Sequence, residues 1–346
     1  MMSVKNKKNI LSISLSVFAT LFITTLLLLI IGKNPIEIFG LIFQDVFASG
    51  YGIGQTLLKA TPLIICGCGL AICFHASLFN IGAEGQLNAG SFAMAIIALK
   101  MSGLPIYIVL PVSIIFGFIV SGLVGLIPAI IKIKKGVSEV ITTIMLNFIV
   151  LGIVNYLLLD FFAVKSTMRT EKLADNLLIP KLSEYFELFQ GSSLNFTFFI
   201  AIILAVAVYI LIYKTKFGYK LRAVGFNDTA SKYIGIKNNK IILLAFFLGA
   251  GITSLVGLNF IMGYKGYFEL GFSNNLGFTA IAVTLLAKNN PIGIIFSALL
   301  FGILDYGGLT VNQQVPKEIM FVVQALIILS IISIDKIVDN YYKPKK

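Results

Sequence analysis

The chain is built from long apolar runs separated by short polar segments, and the runs have the length of membrane-crossing helices. A full crossing takes about 20 mostly apolar residues, and a shorter run crosses when it is tilted or paired with another. On this basis the sequence predicts about ten transmembrane helices. The predicted spans are 10–31, 52–74, 87–99, 105–131, 140–162, 196–213, 241–263, 276–287, 292–304 and 319–334.

Composition places the chain in the membrane. Only 12% of its 346 residues are charged and 58% are hydrophobic, whereas a soluble domain carries about 25% charged residues. We therefore predict an all-α integral membrane protein, with residues 1–346 forming a single transmembrane domain. The first apolar run is too long for the hydrophobic part of a signal peptide, so we expect it to remain as an anchor.

The basic residues are concentrated in loops that this topology places on one side of the membrane. They are Lys132, Lys134 and Lys135, the seven Lys and Arg residues of segment 214–240, and Lys336, Lys343, Lys345 and Lys346. Because Lys and Arg beside spans keep a loop in the cytoplasm, we expect both termini to be cytoplasmic and the loop 163–195 to be extracellular. This bias also explains the formal net charge of +12, so no nucleic-acid partner is expected.

Within the basic segment 214–240, a short helix is predicted between Asp228 and Gly235. Asp228 or Asn227 can accept hydrogen bonds from the first amides of that helix, and Gly235 can close it in a left-handed conformation. Three residues, Ala230, Tyr233 and Ile234, would share one small apolar face.

A second informative stretch, 79–90, interrupts apolar sequence with glycines, amides and the carboxylate of Glu84. It predicts a broken helix beside a polar pathway, in which Glu84 is paired or faces water, because a charge at membrane depth costs about 2.5–3.5 kcal/mol. The alternative is an interfacial loop in which Glu84 is solvated.

A similar Gly-rich break is predicted at 263–277, where Glu269, Asn274 and Asn275 stand. An odd number of spans in each half would turn the second half upside down, so 10–162 and 196–334 could form two inverted five-helix halves. In that case we expect the two breaks to lie near one another across a pseudo-two-fold axis.

Other polar residues carry weaker signals. Glu139, Thr143 and Asn147 fall on one helix face, which is more often used for hydrogen bonds between helices than for chemistry. His75 has no metal-binding neighbours, and a neutral helix-end residue is favoured over a proton relay. The three cysteines, Cys66, Cys68 and Cys73, are typical of small apolar filler.

No catalytic set or phosphate-binding loop is recognisable in the sequence. We therefore expect neither a metal site nor an enzyme activity, and any ATP hydrolysis would belong to another polypeptide.

Four stretches resemble permeases of ATP-binding-cassette (ABC) importers, in the branch for sugars, nucleosides and branched-chain amino acids. The most distinctive is Phe-Asn-Ile-Gly-Ala-Glu-Gly-Gln at 79–86, and the segment 218–236 is similar to the coupling loop of that family. Segments 136–147 and 277–293 are also similar, the former to nucleoside-type (guanosine-type) permeases. The last segment lacks the acid that the family often has near Phe278 and Thr279, so no role is carried over for it. The resemblance covers roughly 52–334.

This resemblance implies a permease subunit that moves nucleosides across the cytoplasmic membrane by alternating access. A ribose- or galactose-type sugar permease is the first alternative, and a secondary transporter is an alternative of another class, disfavoured because paired intramembrane acids are scarce. The implied partners are an ABC ATPase that holds ATP and Mg²⁺, a second permease subunit that would make a heterodimer, an extracellular substrate-binding lipoprotein and membrane lipid. No cofactor is expected in this chain.

The resemblance also implies two groups of functional residues. Those for coupling to the ATPase are Gly218, Arg222, Gly225, Asn227, Asp228, Ala230, Tyr233, Ile234 and Gly235. Candidates for the substrate pathway, chosen as polar groups in or beside spans, are Gln55, Asn80, Glu84, Gln86, Asn88 and Asn147, and then Glu269, Asn274 and Asn275.

Overall fold

The structure, a computed structural model, describes residues 15, 18 and 22–341, and that part of the chain is helical apart from isolated β-bridges between loop segments. Two π-helical turns, Leu158–Phe162 and Phe260–Lys265, extend the helices that precede them. The α-helices in chain order are α1 (Phe22–Ile30), α2 (Pro35–Phe47), α3 (Gly50–His75), α4 (Ala83–Lys100), α5 (Ile106–Lys135), α6 (Glu139–Leu157), α7 (Thr197–Lys214), α8 (Lys216–Phe226), α9 (Asp228–Tyr233), α10 (Asn238–Thr253), α11 (Val256–Asn259), α12 (Leu276–Leu286), α13 (Pro291–Thr310) and α14 (Lys317–Tyr341).

The all-helical membrane class is confirmed, but the count of ten spans is not. Among the described residues, six helical segments are long and apolar enough to cross a membrane, or seven if α1 and α2, bent by 115°, form one span. The six are Gly50–His75, Ile106–Lys135, Glu139–Phe162, Thr197–Lys214, Asn238–Lys265 and Pro291–Thr310.

The remaining predicted spans differ for identifiable reasons. The run 87–99 lies inside α4, whose first turns carry charged and amide side chains, and α12 has only 11 residues. The first residues of the predicted span 10–31, and the tail residues Lys343, Lys345 and Lys346, lie outside the described residues.

The fold divides into two compact units, one terminal and one central. The terminal unit comprises Met1–Thr56 and Leu300–Lys346, and the central unit comprises Leu57–Leu299. In the terminal unit, Leu28, Ile38, Val311 and Val315 form a buried cluster.

The central unit is organised around α4. This helix packs against α5, α6, α10, α11 and α12, and every residue from Ala83 to Ala95 is buried. Small residues dominate its sequence, which allows close approach of neighbouring helices. Because no water surrounds such a helix, its polar side chains must find partners within the protein.

The segment 163–195 of the central unit contains three short 3₁₀ turns, at Asp175–Leu177, Leu182–Glu184 and Glu187–Phe189. Leu182 and Leu194 anchor it by packing with Leu58 of α3. The predicted long loop is therefore packed against α3 and is not a free linker.

Candidate functional site

The break between α3 and α4 is closed by a reciprocal pair of amides. The Asn80 amide nitrogen donates to Gln86 Oε1 at 2.8 Å, and the Gln86 amide nitrogen donates to Asn80 Oδ1 at 3.1 Å. Asn80 Oδ1 also accepts from the backbone N–H of Gly82 at 3.1 Å. Both side chains are fully buried. The predicted break at 79–90 is therefore shorter than expected, because α4 already begins at Ala83. In the turn before α4, the amide pair supplies hydrogen-bond partners, including an acceptor for the N–H of Gly82.

Asn147 of α6 holds the first turn of α4 from the side. Its Oδ1 accepts from the backbone N–H of Gly85 at 2.8 Å, and its amide nitrogen donates to the carbonyl of Ile81 at 2.8 Å. At the start of the same helix, Glu139 forms an ion pair with Lys132 at 2.5 Å. The predicted polar face of α6 thus does make hydrogen bonds to the neighbouring helix.

Glu84 joins the break before α4 to the break before α12. One of its carboxylate oxygens accepts from the backbone N–H of Gly277 at 2.7 Å, and the other accepts from the hydroxyl of Ser273. The Asn88 amide nitrogen completes the cluster by donating to Ser273 Oγ at 3.0 Å and to the Glu84 carbonyl at 2.8 Å. We call Glu84, Asn88, Ser273 and Gly277 the Glu84 junction.

The two breaks lie near one another in the Glu84 junction, and Glu84 is paired there. The pseudo-two-fold axis between inverted halves stays a prediction. Only 3% of Glu84 is exposed, and its carboxylate meets the first turn of α12, where backbone N–H groups and the helix dipole favour a negative charge. A Cβ on Gly277 would lie 2.5 Å from the backbone nitrogen of Glu84, so only glycine allows this approach.

Two members of this cluster, Ser273 and Gly277, were not predicted as site residues. Glu269, which was, instead pairs with Lys265. Asn274 and Asn275 have positive φ angles of 46° and 63°, so they form the turn that delivers Ser273 and Gly277. The signal in the sequence was a hydroxyl side chain directly before two turn-forming asparagines and a glycine.

The other predicted pathway residue, Gln55, belongs to the terminal unit. It is half-buried on α3. The structure therefore brings five predicted pathway residues together around the first turns of α4, namely Asn80, Glu84, Gln86, Asn88 and Asn147. Gln55 is not one of this group.

Several contacts join the predicted coupling segment to the rest of the central unit. The Ser77 hydroxyl donates to the carbonyl of Gly225 at 2.7 Å. The Arg222 guanidinium lies 5.3 Å from the ring centre of Tyr213, whose hydroxyl is 3.1 Å from His75 Nε2. Gly218 packs beside the carbonyl oxygens that end α7. The loop is thus fixed at several points and is not a free polar linker.

The short helix α9 is confirmed, with Asn227 as its cap. Asn227 Oδ1 accepts from the backbone N–H of Ala230 at 3.0 Å, and Gly235 closes the helix with φ +81°. Asp228 pairs with Lys232 at 2.5 Å and accepts from the Asn238 amide nitrogen at 2.7 Å. These hydrogen bonds lower the pKa of the Asp228 carboxyl. All of them fix the orientation of α9 against the start of α10.

The apolar face of α9 has no cover in the central unit. Tyr233 is 88% exposed, Ile234 is 64% exposed, and Ala230 is exposed beside them. Phe226, one residue before the cap, is 93% exposed. A rigid helix that presents large apolar side chains to the outside has the surface of a protein-binding element.

Within the described residues, no group of three His, Cys, Asp or Glu side chains is arranged to hold a metal ion. The cysteines Cys66, Cys68 and Cys73 are free and buried in α3. His75 donates or accepts through its ring nitrogens to Ala71 and Tyr213, which gives it a local structural role at the end of α3.

Comparison with known proteins gives a consistent picture. A family model described as branched-chain amino acid transport system / permease component matches residues 52–332. The chain is 34% identical to a nucleoside ABC transporter permease of Lactococcus lactis subsp. cremoris, over 95% of this chain and 92% of that protein. It is 32% identical to a guanosine ABC transporter permease of Bacillus subtilis, over 95% of each chain. It is 30% identical to a glucose ABC transporter permease of Haloferax volcanii, over 92% of this chain and 86% of that one.

Proposed function

The chain belongs to the ABC importer permeases of the branched-chain amino acid transport system / permease component family, and we propose that it imports nucleosides as one subunit of an ATP-driven complex. The observation that supports ATP-driven import is the uncovered apolar face of the fixed helix α9. The observation that supports nucleosides is the likeness to the two bacterial permeases named for nucleoside and guanosine transport.

We propose that α9 docks into a groove of a separate ATPase subunit, which holds ATP and Mg²⁺. Tyr233 and Ile234 would supply the apolar contact, and the exposed basic residues Lys216 and Lys232 would set orientation and association rate. In this proposal the segments 132–135 and 214–240 are cytoplasmic, and so are both termini. The loop 163–195 would then face outward, toward a substrate-binding lipoprotein.

In the proposed transport step, the polar side chains around α4 exchange their hydrogen-bond partners. Asn80, Glu84, Gln86, Asn88 and Asn147 bond to one another and to backbone when closed, which keeps polar groups satisfied without water. Movement of α9 would be passed through α8 and α10 to these helices. We propose that the amides and Gln55 border the pathway, where they would orient the polar groups of a nucleoside. A second, different permease subunit would complete the channel.

A glucose-type sugar is the second candidate substrate, favoured by the 30% identity to the permease of Haloferax volcanii. Import of a sugar would use the same ATP-driven mechanism and would require only different side chains along the pathway. A direct comparison of substrates separates the two proposals.

The test is uptake by proteoliposomes that contain the permease together with the proposed ATPase, second permease and lipoprotein. Labelled guanosine, adenosine, ribose and glucose are compared with ATP enclosed or absent. We expect ATP-dependent nucleoside uptake that excess unlabelled nucleoside abolishes and excess glucose does not. Uptake of glucose or ribose alone would contradict the substrate, and nucleoside uptake driven by an ion gradient without ATP would contradict the mechanism.

A further inference from the structure

A cavity of about 360 Å³ lies beside α9, between α8 and the beginning of α10. Three of its lining side chains are lysines, one from each segment that surrounds it: Lys220 of α8, Lys237 of the connecting loop and Lys240 of α10. No acidic residue lines the cavity. The cavity is therefore a strongly positive recess.

Within the described residues, no carboxylate lines this recess or pairs with its lysines. None of the three lysines takes part in an ion pair there, and all three are exposed. Lys237 caps α10 and Lys240 lies in its first turn, where the helix dipole has its positive end. The carboxylate of Asp228, which Asn238 holds beside that turn, is already paired with Lys232. Cations at that end of a helix are unfavourable, so an anion in the cavity would relieve a real electrostatic cost.

The other walls of the cavity are apolar. Phe217, Ile236, Ile241 and Leu244 line it, and Ile241 begins the apolar part of the membrane-crossing segment Asn238–Lys265. In a membrane, the start of this apolar stretch would lie at the headgroup layer, where the recess offers both lysines and apolar walls. A small soluble anion would use only the lysines and leave the apolar walls uncovered.

We propose that this cavity binds the phosphate headgroup of an anionic membrane lipid, with the three lysines around the phosphate and an acyl chain along Ile241 and Leu244. Basic pockets between membrane helices bind such headgroups, and each Lys near the surface contributes about 1 kcal/mol. Because the cavity shares Gly235 and Ile236 with the end of the α9 segment, the lipid would also brace the orientation of α9.

The test measures lipid binding to the purified full-length chain in a non-ionic detergent, by native mass spectrometry and by thermal stabilisation. Dioleoyl-phosphatidylglycerol is compared with dioleoyl-phosphatidylcholine and with inorganic phosphate. The cavity variant is Lys220→Gln, Lys237→Gln and Lys240→Gln combined. The matched control carries the same loss of charge at Lys134, Lys135 and Lys214, which do not line the cavity.

The wild type and the control variant should bind one phosphatidylglycerol in preference to phosphatidylcholine. The cavity variant should lose roughly 100-fold in affinity, since three lysines contribute about fivefold each. Equal loss in both variants would mean that net charge alone attracts the lipid, and equal stabilisation by inorganic phosphate would mean a soluble anion. Either result overturns the proposal.

Two further measurements keep the result interpretable. The single variant Lys240→Gln should show a several-fold loss, and it replaces the triple variant if the latter melts early without lipid. Assembly with the ATPase subunit is measured in lipid-free detergent. Failure of the cavity variant to assemble there would assign the cavity to the partner protein and overturn the lipid proposal, whereas normal assembly with weakened phosphatidylglycerol binding supports it.

Discussion

The Glu84 junction and helix α9 are both short, polar interruptions of an apolar chain, yet they are completed in different ways. At the junction, every carboxylate oxygen has a donor within the chain, and Glu84 and Asn88 are buried. In α9 the polar groups are equally well paired, but the apolar side chains Tyr233 and Ile234 remain exposed. The polar groups of the junction are paired within this chain, whereas the described residues leave the apolar side chains of α9 exposed.

This difference suggests how the permease divides its work. Buried polar networks that are fully satisfied specify one arrangement of the helices they join, so the junction is suited to hold α4 and α12 in a defined state. An exposed apolar face on a capped helix is suited to bind a partner protein, so that movement of the partner would displace the helix.

The combined substitution Tyr233→Glu and Ile234→Glu should abolish assembly with the ATPase subunit. It would place unpaired charges in an apolar contact, at a cost of about 2–5 kcal/mol. Membrane insertion should survive, because the basic residues of the loop are unchanged. The measurement is co-purification of the ATPase with the permease at equal membrane levels.

The matched control for that experiment is Tyr185→Glu with Leu188→Glu. These side chains are 64% and 63% exposed, in the segment 163–195. The control should retain the ATPase. Equal loss of the ATPase in both variants, or full retention in the α9 variant, would show that α9 is only part of a topological anchor.

Glu84→Ala should strongly reduce uptake while the protein stays in the membrane. The substitution leaves the N–H of Gly277 and the hydroxyl of Ser273 without their acceptor, and each buried unsatisfied group costs about 1–3 kcal/mol. Uptake and the melting temperature of the purified protein are measured together. Glu84→Gln keeps one acceptor oxygen, so its uptake and melting temperature should lie between those of the wild type and Glu84→Ala. Wild-type uptake in Glu84→Ala would show that the junction has no part in transport.

Ser273→Ala should have a smaller effect, of about 1 kcal/mol on stability. It removes one hydrogen bond to Glu84 and one from Asn88, but it leaves the bond from the Gly277 N–H in place. The melting temperature of Ser273→Ala should therefore lie between those of the wild type and Glu84→Ala. A variant as unstable as Glu84→Ala would mean that Ser273, and not the contact with α12, dominates the junction.

The pH dependence of α9 should show the smallest effect. The lowered pKa of Asp228 means that its contribution is complete above the ordinary Asp value near 4 and is lost as the pH falls through the lower folded-state value. Hydrogen exchange of the α9 amides, corrected for intrinsic rates, should therefore keep its protection down to about pH 4. In Asp228→Asn, the protection of the α9 amides should be roughly two- to fivefold weaker at neutral pH and should change little as the pH is lowered. Unchanged protection in Asp228→Asn would show that the pair with Lys232 does not stabilise α9.

Local signals predicted the long helices and α9 well. The predicted spans 105–131, 140–162 and 196–213 correspond to Ile106–Lys135, Glu139–Phe162 and Thr197–Lys214, because each apolar run ends at basic residues or at a chain turn. For α9, the cap residue Asn227 and the closing Gly235 stand within one short segment, so the sequence contained the whole signal.

Long-range contacts explain what the sequence could not predict. The polar residues after Gly82 resemble a break, yet they are helical because α4 is buried and its partners come from elsewhere in the chain. Asn147 is 62 residues from Gly85, and Ser273 is 189 residues from Glu84. Such pairings depend on how the helices pack, which no local pattern of residues indicates. The recess lined by Lys220, Lys237 and Lys240 is likewise formed only once α8 and α10 have packed.

Site-specific photocrosslinking can show whether an ATPase subunit covers the apolar face of α9. A photoreactive p-benzoyl-phenylalanine replaces Tyr233 in the full complex in cells, and the same amino acid at Tyr185 serves as the control. We expect irradiation to join position 233, and not position 185, to a polypeptide that carries a phosphate-binding loop, with a yield that falls when Ile234 is also changed to Glu. Crosslinks from position 233 to lipid alone, or the same ATPase adduct from both positions, would contradict the assignment of α9 as the docking helix.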